Sequence, residues 1–433
     1  MSSTTESARA NVAELVNFDI LSSATATLDN NAKRKEVART FISDTVTVPT
    51  KEMYAYATLS SLGDDVYHDP TTFALEAHIA KITGKEAGLF MPSGTASNQI
   101  SIRTHLKQPP YTVLCDHRSH IYKYEVGGCG FHSGAAVSPV IPSNGEYSGS
   151  HSMAVTYAMN NRPPPHSGRR KSPYGLWSRR SFVGLASCDE PHLTERGIAS
   201  APTEVIALEN TLNGTIFPQE EITAISEFAR SQDVKMHLDG ARIWHVAAET
   251  GTPLEELCKP FDTVSLCFSK GLGAPVGSCL VGPKEFIQRA RRIRKMFGGG
   301  MRQTGILAGS AAYALTYNFP QLPRVHALAR KLEQGLEKIG VDITSRAETC
   351  MVFYDAASIG TTYDEIAERG QKLPEPLHLG GSRLVVHIQT SDEAVDDFLA
   401  LISEIANEKK AAGFVKSERK VNGTGDVYVR RSR

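Results

Sequence analysis

EVIALEN (204–210), VKMHLDGARIW (234–244) and TVSLCFSKGLGAPVG (263–277) are the stretches that decide the fold. Each opens on a short run of β-branched and apolar residues and ends at a polar or charged one: Asn210, Asp239, Lys270. Between the first two lies EEITAISEFARSQ (220–232), in which Ile222, Ile225, Phe228 and Ala229 recur at helical spacing. Strands that are apolar on both faces and joined by helices pair in parallel and are covered on both sides. TVLCD (112–116), AVSPVI (136–141) and SCLVG (278–282) read as further strands, and GLFM before Pro92 as another. The fold class is therefore α/β, with a mostly parallel central sheet.

Outward from that centre the texture changes. Residues 1–42 are rich in Ser, Thr, Ala and Asn with weak periodicity, which reads as a mobile or partner-wrapping arm. Thr72 is the expected cap of a helix with Leu75, Ile79 and Ile82 on one face, stopped by Gly84. A large α/β domain over 43–310 is followed by a smaller α+β domain over 311–407. In the latter, 325–340 is an amphipathic helix ending at Gly340 and RLVVHIQ (383–389) is a strand. Thr390 and Glu393 then read as a capping box for a helix carrying Val395, Phe398, Leu399, Ile402 and Ile405. The basic tail, 408–433, is expected to fray. Residues 148–200 have no clean period and contain Pro163, Pro164 and Pro165, so they read as an atypical insertion or as foreign to the fold.

Composition bounds the function. In 433 residues, 41% are apolar and 22% charged, which excludes wholesale disorder and fibrous repeats. Lys plus Arg and Asp plus Glu are each 47, so the basic excess of a nucleic-acid binder is missing and no nucleic-acid partner is expected. No apolar run is long enough for a membrane span. The first residues hold no apolar secretory core, and Glu6, Glu14 and Asp19 argue against a transit peptide. The seven cysteines are never spaced CxxC, and Cys115, Cys267 and Cys279 lie in strand-like runs, as buried reduced thiols do. A cytoplasmic location follows as the expectation.

Three consecutive strand ends offer an amide, a carboxylate and an amine, at Asn210, Asp239 and Lys270. Singly each has an ordinary reading. A lysine at a strand end is mostly a rim residue, and Asp-Gly is a common turn. Together they match pyridoxal phosphate, which takes a lysine on its aldehyde, an acid on its ring nitrogen and a donor near its phenolic oxygen. Ser93-Gly94-Thr95 opens a helix after a strand, where backbone amides and the helix dipole can hold a phosphate, although helix caps are commoner than phosphate sites. His120 can stack on a ring and move protons near neutrality. His117 and His120 make HxxH, but no third ligand stands nearby and no metal is expected. Arg242 and Arg383 are candidate clamps for an amino acid's carboxylate, or else partners in structural ion pairs.

The order of motifs resembles the threonine aldolases, of the low-specificity type, in the β-eliminating lyase branch of fold-type I pyridoxal-phosphate enzymes. The motifs are SDTVTVPTKEM (43–53), GDDVYHDPTT (63–72), GKEAGLFMPSGTASNQ (84–99), CDHRSHIYKYEVGG (115–128) and ALENTLNG (207–214). They continue with HLDGARIW (237–244), SLCFSKGLGAPVGS (265–278), GGGMRQTG (298–305) and GSRLVVHIQTS (381–391). The resemblance implies Lys270 as the Schiff-base lysine, Asp239 as the ring-nitrogen partner and His120 stacked on the ring. It implies Gly94 and Thr95 at the phosphate, and Ser43, Arg242 and Arg383 toward the substrate carboxylate or the cofactor oxygen. Arg302 is expected near the site, from this chain or a neighbouring subunit of a homo-oligomer, often a tetramer. The chain departs from the family at Ile42, where an arginine is usual, at the shortened His68-Asp69-Pro70, at Cys350 in place of asparagine, and over 148–200.

The reaction implied is retro-aldol cleavage of a small-molecule β-hydroxy-α-amino acid, most simply L-threonine to glycine and acetaldehyde, with His120 as the base for the hydroxyl proton. Two rivals stand beside it. One is a racemase or β-lyase using the same Lys270 and Asp239; the other is an inactive binding or assembly protein.

Overall fold

The alternation of apolar strands with amphipathic helices is realised in a computed structural model that describes Val16 and residues 30–141, 193–194 and 198–416. The expectations for 1–29, apart from Val16, and for 142–192, 195–197 and 417–433 lie outside the described residues, so most of the 148–200 stretch does too. Seven strands make the central sheet: β1 (Ala87–Met91), β2 (Thr112–Asp116), β3 (Ala136–Val140), β4 (Thr203–Glu209), β5 (Lys235–Gly240), β6 (Thr263–Cys267) and β7 (Ser278–Gly282). Their order is β1-β7-β6-β5-β4-β2-β3. β2, β3, β4, β5 and β6 pair in parallel, and β7 is antiparallel to both β1 and β6. Val205, Ile206, Met236, Leu238, Val264 and Leu266 are buried, as strands covered on both faces require. Helix Gln219–Ser231 buries Ile222, Ile225 and Ala229, the face its spacing predicts.

A second, antiparallel sheet orders β8 (Asp342–Ser345), β9 (Met351–Asp355) and β10 (Arg383–Val385) as β10-β9-β8. Helix Leu322–Ile339 packs on β8 and β9 and ends on left-handed Gly340, as expected. The expected strand 383–389 keeps only its first three residues in the ladder. Beyond them Val386 N donates to Cys350 O at 2.8 Å, and the Gln389 side chain bonds both backbone groups of Val48. The connection is used to tie the two units together rather than to extend the sheet.

Five expectations need correction. The helix over Pro70–Ile82 is capped by Asp69, whose carboxylate accepts from Thr72 N at 2.7 Å; Thr72 lies inside it and donates to Thr304 Oγ1. Pro70 at the first position costs nothing, since that amide has no helical partner. Ser391, not Thr390, caps the last helix, Asp392–Ala411, because Thr390 Oγ1 already accepts from His387 N. That helix runs past Glu408, which Arg369 holds, so the tail is ordered to there. The end of the arm is not loose either: Asn30–Ala38 is a helix, Phe41 is buried among Val325, Leu384 and Phe398, and Val385 N donates to Phe41 O. Burying an aromatic ring of that size contributes about 1.5–3 kcal/mol, enough to seat a short segment. At the other boundary, Ala311, Ala314 and Leu322 belong to the core of the large unit, which therefore extends past 310.

Candidate active site

In parallel neighbours, side chains at paired positions project to the same face. Glu209 is paired with Asp239, and Asp239 with Ser265. Glu209 and Asp239 are thereby side by side at the mouth of the sheet, and Lys270 follows β6 two residues beyond Phe268. A cavity of about 310 Å³ opens there, lined by Ser43, Thr95, His120, Arg242, Lys270 and Arg383 together with Glu209, Arg118 and Met351. Six residues expected in the site, drawn from most of the length of the chain, thus face one space.

Asp239 is buried behind them. Its Oδ2 accepts from Asn98 Nδ2 at 2.7 Å and its Oδ1 from Ala241 N at 3.0 Å. His120 caps the other side: its backbone N donates to Glu209 Oε2 at 2.9 Å and its Nδ1 meets Glu125 Oε1 at 2.9 Å. Burial pulls the His120 imidazole down, but the Glu125 and Asp239 carboxylates outweigh it and the net shift is upward. Burial, with the Asp239 carboxylate beside it, pushes Glu209 up to about 7.

One expected role changes. Asn210 does not reach the cavity. One residue beyond Glu209 it projects the other way, is buried, and its Oδ1 accepts from Phe217 N at 3.2 Å. Glu209, its neighbour on the strand, lines the cavity instead. Arg242 lines the cavity, but its Nε and Nη2 both go to Asp44, at 2.8 and 2.7 Å. Its Nε and Nη2 edge holds a carboxylate of its own chain, which fixes the guanidinium in the cavity wall. Arg383 lines the cavity too, with Nη2 donating to Ile42 O at 3.2 Å. Arg302 lies outside the cavity, exposed and paired with Asp64 at 3.0 Å.

The residues fit pyridoxal phosphate. Helix Gly94–His105 starts at the cavity, with Ser93 Oγ capping Ala96 N. A side chain on Gly94 would meet only Ser278 Oγ, at 3.6 Å, and that buried hydroxyl has no partner. An open, donor-lined space at a helix N-terminus suits a phosphate. Beside it stand an amine, at Lys270, and a carboxylate held by two donors, at Asp239. Two groups of three possible metal ligands occur among the described residues, Asp44/His245/Cys350 and His120/Glu125/Asp239. Their carboxylates are already taken, by Arg242 in the first and by Asn98 and His120 in the second.

Glu209, Glu125, Asn98 and Asp44 were missed from the sequence. Strand parity with Asp239 was a usable signal for Glu209. Asn98 lies one helical turn after Gly94, on the face that returns to the sheet. Glu125 and Asp44 sit in turns and carry no periodic signal.

Residues 40–358 match the β-eliminating lyase family. The low-specificity L-threonine aldolase of Candida albicans is 40% identical over 366 residues, 84% of this chain and 89% of that protein. An alanine racemase of Cochliobolus carbonum is 32% identical over 374 residues, 84% of this chain and 87% of its own length. Among solved structures, the threonine aldolase of Leishmania major superposes with a TM-score of 0.64 at 16% identity, over 85% of this chain and 99% of that one, which establishes the shared fold. With the fold, the strand-end lysine and aspartate and these relatives in agreement, the chain belongs to the β-eliminating lyase family, among its threonine aldolases.

Proposed function

We propose that the protein is a pyridoxal-phosphate-dependent aldolase that cleaves L-threonine and L-allo-threonine to glycine and acetaldehyde. The observation that carries this reading is the convergence of Lys270, His120, Thr95 and Arg383 on one cavity. The bound cofactor supplies an electron sink for the pair released from the Cα–Cβ bond. Lys270 is the amine that would hold its aldehyde, and Asp239 the carboxylate that would keep its ring nitrogen protonated. Thr95 and the first amides of helix Gly94–His105 would hold the phosphate, and Arg242 would serve the ring oxygen or the substrate carboxylate. Arg383 takes the substrate carboxylate with its guanidinium fork, beside Ser43, and so sets which bond at Cα is aligned for cleavage. His120 accepts the β-hydroxyl proton on Nε2, since Nδ1 is engaged by Glu125.

The test is to incubate purified, cofactor-loaded protein with L-threonine, L-allo-threonine, L-serine and L-alanine and to resolve the products chirally. Glycine and acetaldehyde from both threonine isomers are expected. D-alanine from L-alanine without glycine from threonine overturns the aldolase in favour of the racemase. No turnover by loaded protein favours the binding or assembly reading.

The same reading makes the protein a cytoplasmic homotetramer. Six cysteines among the described residues are buried and free, as in a reducing compartment. No helix among the described residues is long and apolar enough to cross a membrane. Leu59, Leu62 and Tyr67 are exposed apolar side chains of the kind a subunit contact covers. Light scattering of the purified protein measures the subunit number.

A further inference from the structure

Glu125 engages His120 Nδ1, and its carboxylate gathers two further donors beside the cavity. Its side chain is 0% exposed. Oε1 accepts from Asn98 Nδ2 at 2.9 Å and meets His120 Nδ1 at 2.9 Å; Oε2 accepts from Gln99 Nε2 at 2.5 Å. The backbone brings it there by a tight turn. Val126 and Gly127 have positive φ, and Gly128 N donates to Glu125 O at 2.9 Å. A Cβ on Gly128 would lie 2.7 Å from Gln99 Cδ, so glycine lets this turn close on helix Gly94–His105 without displacing the Gln99 side chain.

The hydrogen positions follow from donor and acceptor types. Glu125 is an acceptor toward both amide NH₂ groups, and in the same role toward His120 it places the shared proton on Nδ1. Nε2 is then the nitrogen with the lone pair. Asn98 has carboxylates on one side, Glu125 and Asp239, which requires its NH₂ there; its Oδ1 takes His237 Nε2 at 3.1 Å on the other side. One amide thus spaces the two carboxylates.

The geometry points to Glu125 as a positioning residue: its buried carboxylate holds His120 in the Nδ1–H form with Nε2 available at the cavity, and through Asn98 it fixes His120 relative to Asp239. The same carboxylate–imidazole logic raises the basicity of the outward nitrogen in hydrolytic triads. The inference rests on the reading of His120 as the base. His120 also faces Arg118 from its own segment, Glu209 from β4, Asp239 from β5 and Lys270 beyond β6, so Glu125 is one of several charges that set its proton affinity.

Glu125→Gln removes the charge and keeps the bonds. The amide oxygen can serve Asn98 and His120, and its NH₂ can meet Gln99 once that side chain turns its unpartnered Oε1 inward. The first measurement is the pH dependence of His120 modification by diethylpyrocarbonate, which takes the unprotonated imidazole. It is made on the full chain without added cofactor and separated from His117 by tandem mass spectrometry. The midpoint is expected to fall by about one pH unit, the effect of losing an adjacent opposite charge. The second is the acid limb of kcat/KM for L-threonine in the holoenzyme, expected to move down with it. An unchanged midpoint overturns the role of Glu125. A lowered midpoint with an unmoved acid limb sustains the hold on His120 and overturns His120 as the base. Should Glu125→Gln not fold, Glu125→Asp keeps the charge and shortens the reach. Its midpoint is expected below that of the unaltered protein, and an identical one overturns the proposal.

Discussion

Arg242 and Asp44 form a buried bidentate pair in the wall of the cavity, with Nε 2.8 Å from Oδ2 and Nη2 2.7 Å from Oδ1. The pair ties the Ser43–Thr45 turn, which lines the cavity, to the end of β5, which supplies Asp239. Burial alone would raise the Asp44 carboxyl; the guanidinium beside it outweighs that and holds it well below the usual carboxylate range.

Breaking this pair is therefore expected to cost more than breaking an exposed one. Asp44→Asn leaves a buried guanidinium without its counter-charge, and the unfolding free energy measured in urea should drop by about 3–5 kcal/mol. Asp233→Asn, which removes the exposed partner of Lys107, should cost about 1 kcal/mol or less. The pH dependence has a definite sign. With a folded pKa below the unfolded value of about 3.9, the contribution of Asp44 is present above about pH 5 and is lost as pH falls below that. The stability gap between the unaltered protein and Asp44→Asn should shrink on acidification; a constant gap would count against the pair.

Arg383→Lys keeps a charge at the cavity and loses the planar fork. The KM for L-threonine should rise about tenfold or more, as loss of one of two charge-assisted bonds implies, with cofactor affinity unchanged. An unaltered KM removes Arg383 from the carboxylate site, and loss of cofactor assigns it to the cofactor instead.

Two glycines should respond differently to alanine. At Gly94 the added methyl finds open space, with Ser278 Oγ at 3.6 Å, so the fold should keep its stability while pyridoxal phosphate binds more weakly. At Gly271 the methyl would stand 2.2 Å from Nε2 of buried His245. That overpacking should cost about 1–3 kcal/mol in thermal or urea unfolding and displace the backbone next to Lys270. Equal effects of the two substitutions on both readouts would contradict the geometry.

Borohydride reduction of the cofactor-loaded protein should fix the label on the peptide containing Lys270. Lys235 begins β5 and Lys284 follows β7, both at the end of the sheet away from the cavity. A label on either would displace the site altogether.

Local pattern alone determined a good deal. The strands 112–116, 136–140 and 278–282, the helix behind Ile222 and Ile225, and the stop at Gly340 are set by side-chain period and backbone preference within a few residues. The placement of Lys270, Asp239 and Gly94 at one end of the sheet was equally legible, because strand ends and helix starts lie there in a parallel sheet. Cap positions at Asp69 and Ser391 were not, since several neighbouring residues can cap and long-range bonds choose among them.

Tertiary structure decided the rest. Whether Glu209 or Asn210 faces the cavity depends on the register of β4 against β5, and a shift of one residue exchanges them. How the Arg242 guanidinium is held in the cavity wall depends on Asp44, nearly two hundred residues away in sequence. Glu125, Asn98 and Asp239 come from a turn, a helix and a strand, and only folding makes them one hydrogen-bonded group. A sequence determines the period of a segment because that depends on neighbouring residues; which charges end up in contact depends on how distant segments pack, and that is settled only when the whole core closes.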